Sequence, residues 1–174
     1  PSRGISHAAR TCPFVFHFDF DIVVGERATL IVDTGMGPDN GAIVLEEARK
    51  LSDNTEFYLT ATHFHPEHDL GATAFPAGAK MIRWSGQQAE VDEQGAQTIE
   101  RFSSFSPAVA ELLSKASYRE ADTVFDDEVR LDEAAFHADE EIGSSRQNGR
   151  LAFFFRQESN RGLGRAGCFV SHKS

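Results

Sequence analysis

Residues 56–70, Glu56-Phe-Tyr-Leu-Thr-Ala-Thr-His63-Phe-His65-Pro-Glu67-His68-Asp69-Leu70, pass without a break from a strand pattern into a histidine cluster. The aromatic and β-branched residues of 56–61 favour an extended, half-buried strand. The next eight residues hold three of the chain's seven histidines and two carboxylates. Neutral imidazole is the commonest protein ligand for transition metals, and carboxylates complete such sites. A lone surface histidine carries no such meaning, but three within six residues at the end of a strand read as a metal-binding segment.

The local geometry can be anticipated. If 63–67 are extended, His63, His65 and Glu67 share one face, because side chains repeat every two residues. A helix would turn His63 and His65 roughly 200° apart. Pro66 suits the first position of a helix, with His65 near its cap and His68 on its first turn. Two imidazoles before the bend, with a carboxylate and a third imidazole at it, suit two adjacent ions better than one. Asp69 reads as an acid of the helix turn rather than a ligand.

Working outward, Phe14–Val24 is strand-like, Gly25–Arg27 turns, and Ala28–Val32 is a short apolar run that ends at Asp33-Thr34-Gly35. Asn40 is expected to cap a helix in which Ile43, Val44, Ala48 and Leu51 form the apolar face, closed by Ser52-Asp53-Asn54. Downstream, 70–75 form a short helix and 80–83 a strand. Residues 85–116 form two helices divided at Ser106-Pro107. Val124-Phe125 and 129–131 frame an acidic turn as a hairpin, and 151–155 make a last strand. The order is mixed α/β, with a site where a strand ends, the habit of open α/β sheets.

Composition narrows the classes. The chain has 174 residues, 40% apolar and 25% charged, values of a soluble globular domain able to bury a core. A net charge of −10 argues against a nucleic-acid partner. No stretch approaches the roughly 18 apolar residues of a membrane span, and no leader is visible, so the cytoplasm is the default compartment. Cys12 and Cys168 are too far apart in sequence for a zinc knuckle or a disulfide framework. Charge is uneven. Residues 143–174 carry Arg146, Arg150, Arg156, Arg161, Arg165 and Lys173 against Glu158 alone, in a Gly/Ser-rich setting. A break of this kind marks a linker, a tail or a change in sequence origin.

The segment resembles the metallo-β-lactamase-fold hydrolases, whose signature after a strand is His-x-His-x-Asp-His. His63-Phe-His65-Pro-Glu67-His68 matches it with one change, Glu for Asp. Leu30-Ile-Val-Asp33-Thr-Gly35 resembles the family's second-strand motif, and the match covers roughly residues 14–131. The resemblance implies an αββα sandwich, of which 14–131 form the N-terminal half, with 132–174 a short remnant or irregular basic tail. It implies that His63 and His65 hold a first zinc or other divalent ion, and Glu67 and His68 a second. It gives Asp33 the role of a buried carboxylate that steadies the site. The metal would acidify a bound water, and the hydroxide would attack an ester, lactam, thioester or phosphoester of a small-molecule substrate. Glu67 would orient that hydroxide or move its proton.

The family's later ligands, a Gly-x-x-His-Thr/Ser histidine, a bridging Asp and a last histidine, have no clear counterpart here. His137 stands at about the right distance but in other surroundings, and Arg156 stands about where the bridging Asp belongs. Asp139 and Glu158 are weak substitutes for that Asp, and His172 reads as part of a frayed terminus. A half-sheet would expose an apolar face, through which chains could associate. The C-terminal part is expected to be truncated, diverged or out of frame after about residue 132. Two further functions stay open: an inactive relative that binds metal weakly, and a non-enzymatic protein that works by binding a partner.

Overall fold

The computed structural model describes residues 10–11, 19–126, 129, 131, 140–147 and 150–157. Six strands form one sheet in the order β1 (Arg10–Thr11), β2 (Asp19–Val24), β3 (Ala28–Val32), β4 (Glu56–Thr60), β5 (Lys80–Trp84) and β6 (Thr123–Phe125). β1, β2 and β3 pair antiparallel, and β3 to β6 run parallel. Between the parallel strands lie α1 (Gly37–Leu51), α2 (Pro66–Asp69) with a 3-10 turn (Leu70–Ala74), and α3 (Ser85–Ser103) with α4 (Pro107–Leu113). Strands added in sequential order by right-handed crossovers place their helices on one face of the sheet. A separate antiparallel pair, β7 (Glu140–Gln147) and β8 (Arg150–Gln157), forms a second sheet.

The strand pattern explains the core. Ile22, Ile31, Leu59 and Met81 pack with Val44, Leu45 and Ala48 of α1. The intervening residues Val23, Leu30, Val32 and Ile82 point to the other face by the pleat and are buried too. Among the described residues the exposed large apolar side chains are Phe105 and Val124, so these residues offer no open apolar sheet face. A second cluster, Met36, Leu70, Val109 and Leu113, seats α4 against the start of α1.

Several expectations need correction. α1 begins at Gly37 with Met36 at the cap, and Asn40 lies buried inside the first turn. Pro38, with its fixed φ, starts the helix earlier than the polar residue does. β6 is no hairpin arm: it pairs in parallel with β5, while Val129 and Leu131 lie in no strand. β7 carries no strand signal in its sequence, because Glu-Glu-Ile-Gly-Ser-Ser-Arg-Gln has no apolar alternation. The short helix expected at 70–75 is a 3-10 turn. His137, Asp139, Glu158, His172, Cys12 and Cys168 lie outside the described residues.

Parallel pairing sets Val32 beside Thr60, so β3 and β4 end together and Asp33 N–H donates to the Thr60 carbonyl at 2.9 Å. The chain after β4 is then drawn onto the chain after β3. The His68 carbonyl accepts from the Thr34 N–H (2.6 Å) and hydroxyl (3.2 Å), and the Gly35 carbonyl accepts from the Gly71 N–H (2.7 Å). This approach requires glycine at Gly41 and Gly71: a Cβ on the first would strike the Gly71 carbonyl, and one on the second the Thr34 carbonyl. Backbone cannot yield as a flexible side chain does. Gly71→Ala is expected to cost about 3 kcal/mol of stability, read as a lower denaturant midpoint. A change under about 0.5 kcal/mol would mean that these segments do not touch.

Candidate metal centre

The candidate centre forms where β3 and β4 end. Asp33 closes β3 in the left-handed region, φ 64°, a conformation that costs a non-glycine residue about 1 kcal/mol and that Asp tolerates better than most. The twist turns its carboxylate toward the histidine segment. Asp33 Oδ1 accepts from the Thr62 N–H at 2.7 Å, and both oxygens lie within reach of the Thr62 hydroxyl, at 3.1 and 3.0 Å. Oδ2 also accepts from His68 Nδ1 at 2.9 Å, in a pair that is nearly closed to solvent. Thr62 Oγ1 in turn lies 3.1 Å from His63 Nδ1.

One carboxylate therefore sets two imidazoles. Because a carboxylate oxygen accepts, His68 carries its proton on Nδ1 and its ligand lone pair on Nε2. Thr62 donates to Asp33, so its oxygen accepts from His63 Nδ1, which puts the His63 lone pair on Nε2 as well. Hydrogen-bonded carboxylates behind histidines are the usual device for fixing a ligand's tautomer and ring orientation.

Residues 62–65 bend rather than extend, and α2 begins at Pro66 with His65 at its cap. The bend changes which side chains converge. His63, Glu67 and His68 bring ligand atoms within 4.8 Å of one another. The His63 and His68 rings are 4.1 Å apart between centroids. His65 stands beside this trio, its ring 4.7 Å from that of His63 and its Nδ1 3.9 Å from Glu67 Oε1. The trio thus draws one histidine from the first expected pair and both members of the second. Glu67 Oε2 is buried with no hydrogen-bond partner among the described residues. An orphaned buried carboxylate oxygen costs about 1–3 kcal/mol, and beside two imidazoles a cation would satisfy it. The donor set, two nitrogens and a carboxylate oxygen, fits a zinc-class ion.

Behind the trio lies a polar support that the sequence did not announce. Asp69 is fully buried and takes a two-pronged hydrogen bond from Arg83, Nη2 to Oδ1 at 2.8 Å and Nε to Oδ2 at 3.1 Å, with Gln87 Nε2 at 3.3 Å. Burial pushes the Asp69 carboxyl up from its ordinary range, and the Arg83 guanidinium opposes that. Arg83 also donates to the Arg119 carbonyl at 2.7 Å and lies 6.0 Å from the Tyr118 ring centre. Burial, with the nearby Asp69 charge, raises the Tyr118 hydroxyl, so it stays a neutral donor and bonds the Phe64 carbonyl at 2.6 Å. That carbonyl sits between His63 and His65. Arg119 gathers the carbonyls of Ala72, Phe75, Pro76, Ala77 and Ala79 around one guanidinium, which pins the segment after the site.

Asp69 therefore supports the turn through Arg83 and reaches no ligand position. Arg83→Met is expected to cost about 3–5 kcal/mol at neutral pH by stranding a buried charge. The variant's Asp69 would hold a proton more tightly folded than unfolded, so the loss should shrink as pH falls and the carboxyl protonates. A loss that is the same at acid and neutral pH would contradict the pairing.

The family model of the metallo-beta-lactamase superfamily matches residues 22–143. Over 54 residues the chain is 48% identical to a linear primary-alkylsulfatase of Pseudomonas sp., covering 31% of this chain and 10% of that one. Among solved structures, a metallo-beta-lactamase family protein from Thermus thermophilus superposes with a TM-score of 0.55 at 18% identity, covering 87% of this chain and 55% of that one. A subclass B3 metallo-beta-lactamase from a soil metagenome library gives 0.53 at 11%, covering 90% and 55%. The chain spans about half the length of these solved proteins and a tenth of the alkylsulfatase. No helix among the described residues is long and apolar enough to cross a membrane. The half-sandwich, its helix layer and the family model over residues 22–143 lead to one conclusion: the chain belongs to the metallo-beta-lactamase superfamily.

Proposed function

We propose that the protein is a metal-dependent hydrolase in which His63, Glu67 and His68 hold a zinc-class ion and His65 serves an adjoining position. The observation that carries this reading is the convergence of the three ligand atoms within 4.8 Å, with Glu67 Oε2 buried and unpartnered among the described residues. When bound, such an ion acidifies water and polarises the group under attack. The chain's own residues do the rest. Asp33 holds His68 directly and His63 through Thr62, so both rings are oriented before any ion arrives. Tyr118 fixes the peptide between His63 and His65. Glu67, one methylene longer than the Asp of the superfamily signature, starts from the first turn of α2 and still brings an oxygen to the two imidazoles. Glu67 Oε1 lies 3.9 Å from His65 Nδ1, and the carboxylate is the group suited to hold or pass a proton.

The superfamily and the alkylsulfatase relative support an ester or cyclic-amide substrate: a carboxylic ester, lactam, thioester, phosphoester or sulfate ester. Elemental analysis of the dialysed chain should find about one to two zinc-class ions, lost on His63→Ala, with turnover of an activated ester. Asp33→Asn should weaken zinc binding about 10–100-fold with the ligands intact. Less than one ion per chain and no turnover would identify an inactive relative instead.

A further inference from the structure

The three histidines of the centre are not held alike. Asp33 bonds the His68 ring directly and the His63 ring through Thr62. Among the described residues no hydrogen bond holds the His65 ring, and Glu67 Oε1, 3.9 Å from its Nδ1, is too distant for one. The place of His65 is therefore set by its backbone and by the rings it touches, those of His63, Phe64 and Phe102. That backbone is fixed at three points. The Thr62 N–H donates to Asp33, and the His65 carbonyl accepts from the N–H groups of His68 and Asp69 at 3.0 and 3.2 Å. Between them, the Tyr118 hydroxyl donates to the Phe64 carbonyl at 2.6 Å.

Tyr118 is itself closely seated. It packs beside the cluster of Met36, Leu70, Val109 and Leu113, with the Arg83 guanidinium 6.0 Å from its ring centre. The edge of the ring meets α3 at Gly95, which is buried in the helix interior. A Cβ there would come within 2.9 Å of Tyr118 Cε2 and 3.1 Å of Cδ2. Glycine is a poor helix former, so its presence well inside a 19-residue helix calls for a reason, and room for this ring supplies one. The packing of the ring would be satisfied equally by phenylalanine. What the hydroxyl adds is one bond, and that bond goes to the histidine bend.

We infer that Tyr118, seated in the notch that Gly95 leaves on α3, is the positioning residue for His65. It does for this imidazole, through the backbone, what Asp33 does for the other two through their rings. The orientation of His65 against the trio is thus set from α3, an element that carries none of the candidate ligands. The consequence for a bound ion rests on the hydrolase reading above; the placement of His65 does not.

The test uses the full chain with isotopically labelled histidine, followed by nuclear magnetic resonance without metal and then titrated with cobalt(II), whose visible spectrum reports coordination geometry. Tyr118→Phe keeps the ring and removes the bond. It should shift the ring resonances of His65 and leave those of His68, which Asp33 still holds. It should also weaken cobalt binding about tenfold and alter the visible spectrum. Gly95→Ala, which displaces the ring, should move both readouts in the same way although alanine favours the helix. Val109→Ala loosens the same apolar cluster without touching the bond, and should lower the denaturant midpoint with both readouts unchanged. A Tyr118→Phe chain whose His65 resonances and cobalt spectrum match the parent would overturn the assignment. So would a Val109→Ala chain that reproduces the changes. His65 resonances that move on Tyr118→Phe in a protein that binds no cobalt would uphold the positioning and refute the metal reading.

Discussion

The Asp33 carboxylate is the contact on which the rest of the centre depends. It sits at the end of β3, held in a left-handed conformation, and accepts from the Thr62 N–H, the Thr62 hydroxyl and His68 Nδ1. These bonds join the ends of two parallel strands that would otherwise diverge into separate loops. They also decide which nitrogen of each imidazole carries the proton. The local backbone cost, about 1 kcal/mol, is small against several charge-assisted hydrogen bonds made out of water. Replacing the conformation with an ordinary one would turn the carboxylate away and release both rings at once.

A second buried carboxylate does different work one residue beyond the histidines. Asp69 and Arg83 form a solvent-free pair, with Gln87 on the carboxylate and the Arg119 carbonyl on the guanidinium. Buried ion pairs contribute little net stability relative to apolar packing, but they tolerate few alternative arrangements. The pair ties α2 to β5, and Tyr118 ties the chain before β6 to the histidine bend. Four parts of the chain therefore meet behind the candidate ligands, which stiffens a segment that would otherwise be a loop.

Much of this was legible in the sequence where the information is local. The histidine run, Asp33 at the close of an apolar strand, the helix break at Ser106-Pro107 and the helix start at Pro66 each depend on residues within a few positions. His63, His65 and Glu67 would share one face only if 63–67 were extended; the chain bends before Pro66, which brings Glu67 and His68 to His63 and leaves His65 at the side. Tyr118 and Arg119 carried no signal: each is a single polar residue whose partners lie 40 to 54 positions away. The parallel partner of β6 was hidden for the same reason. An arginine inside the five-residue strand Lys80-Met81-Ile82-Arg83-Trp84 is the one hint that a buried counter-charge had to exist.

The central claim is that His63, Glu67 and His68 form a preset cation site oriented by Asp33. Diffraction from crystals of the chain grown with zinc, collected on both sides of the zinc absorption edge, tests it most directly. The account predicts an anomalous peak within coordination distance of His63, Glu67 and His68, with the Asp33 contacts to Thr62 and His68 unchanged. Zinc scattering found only elsewhere, or none with the three side chains splayed apart, would contradict it.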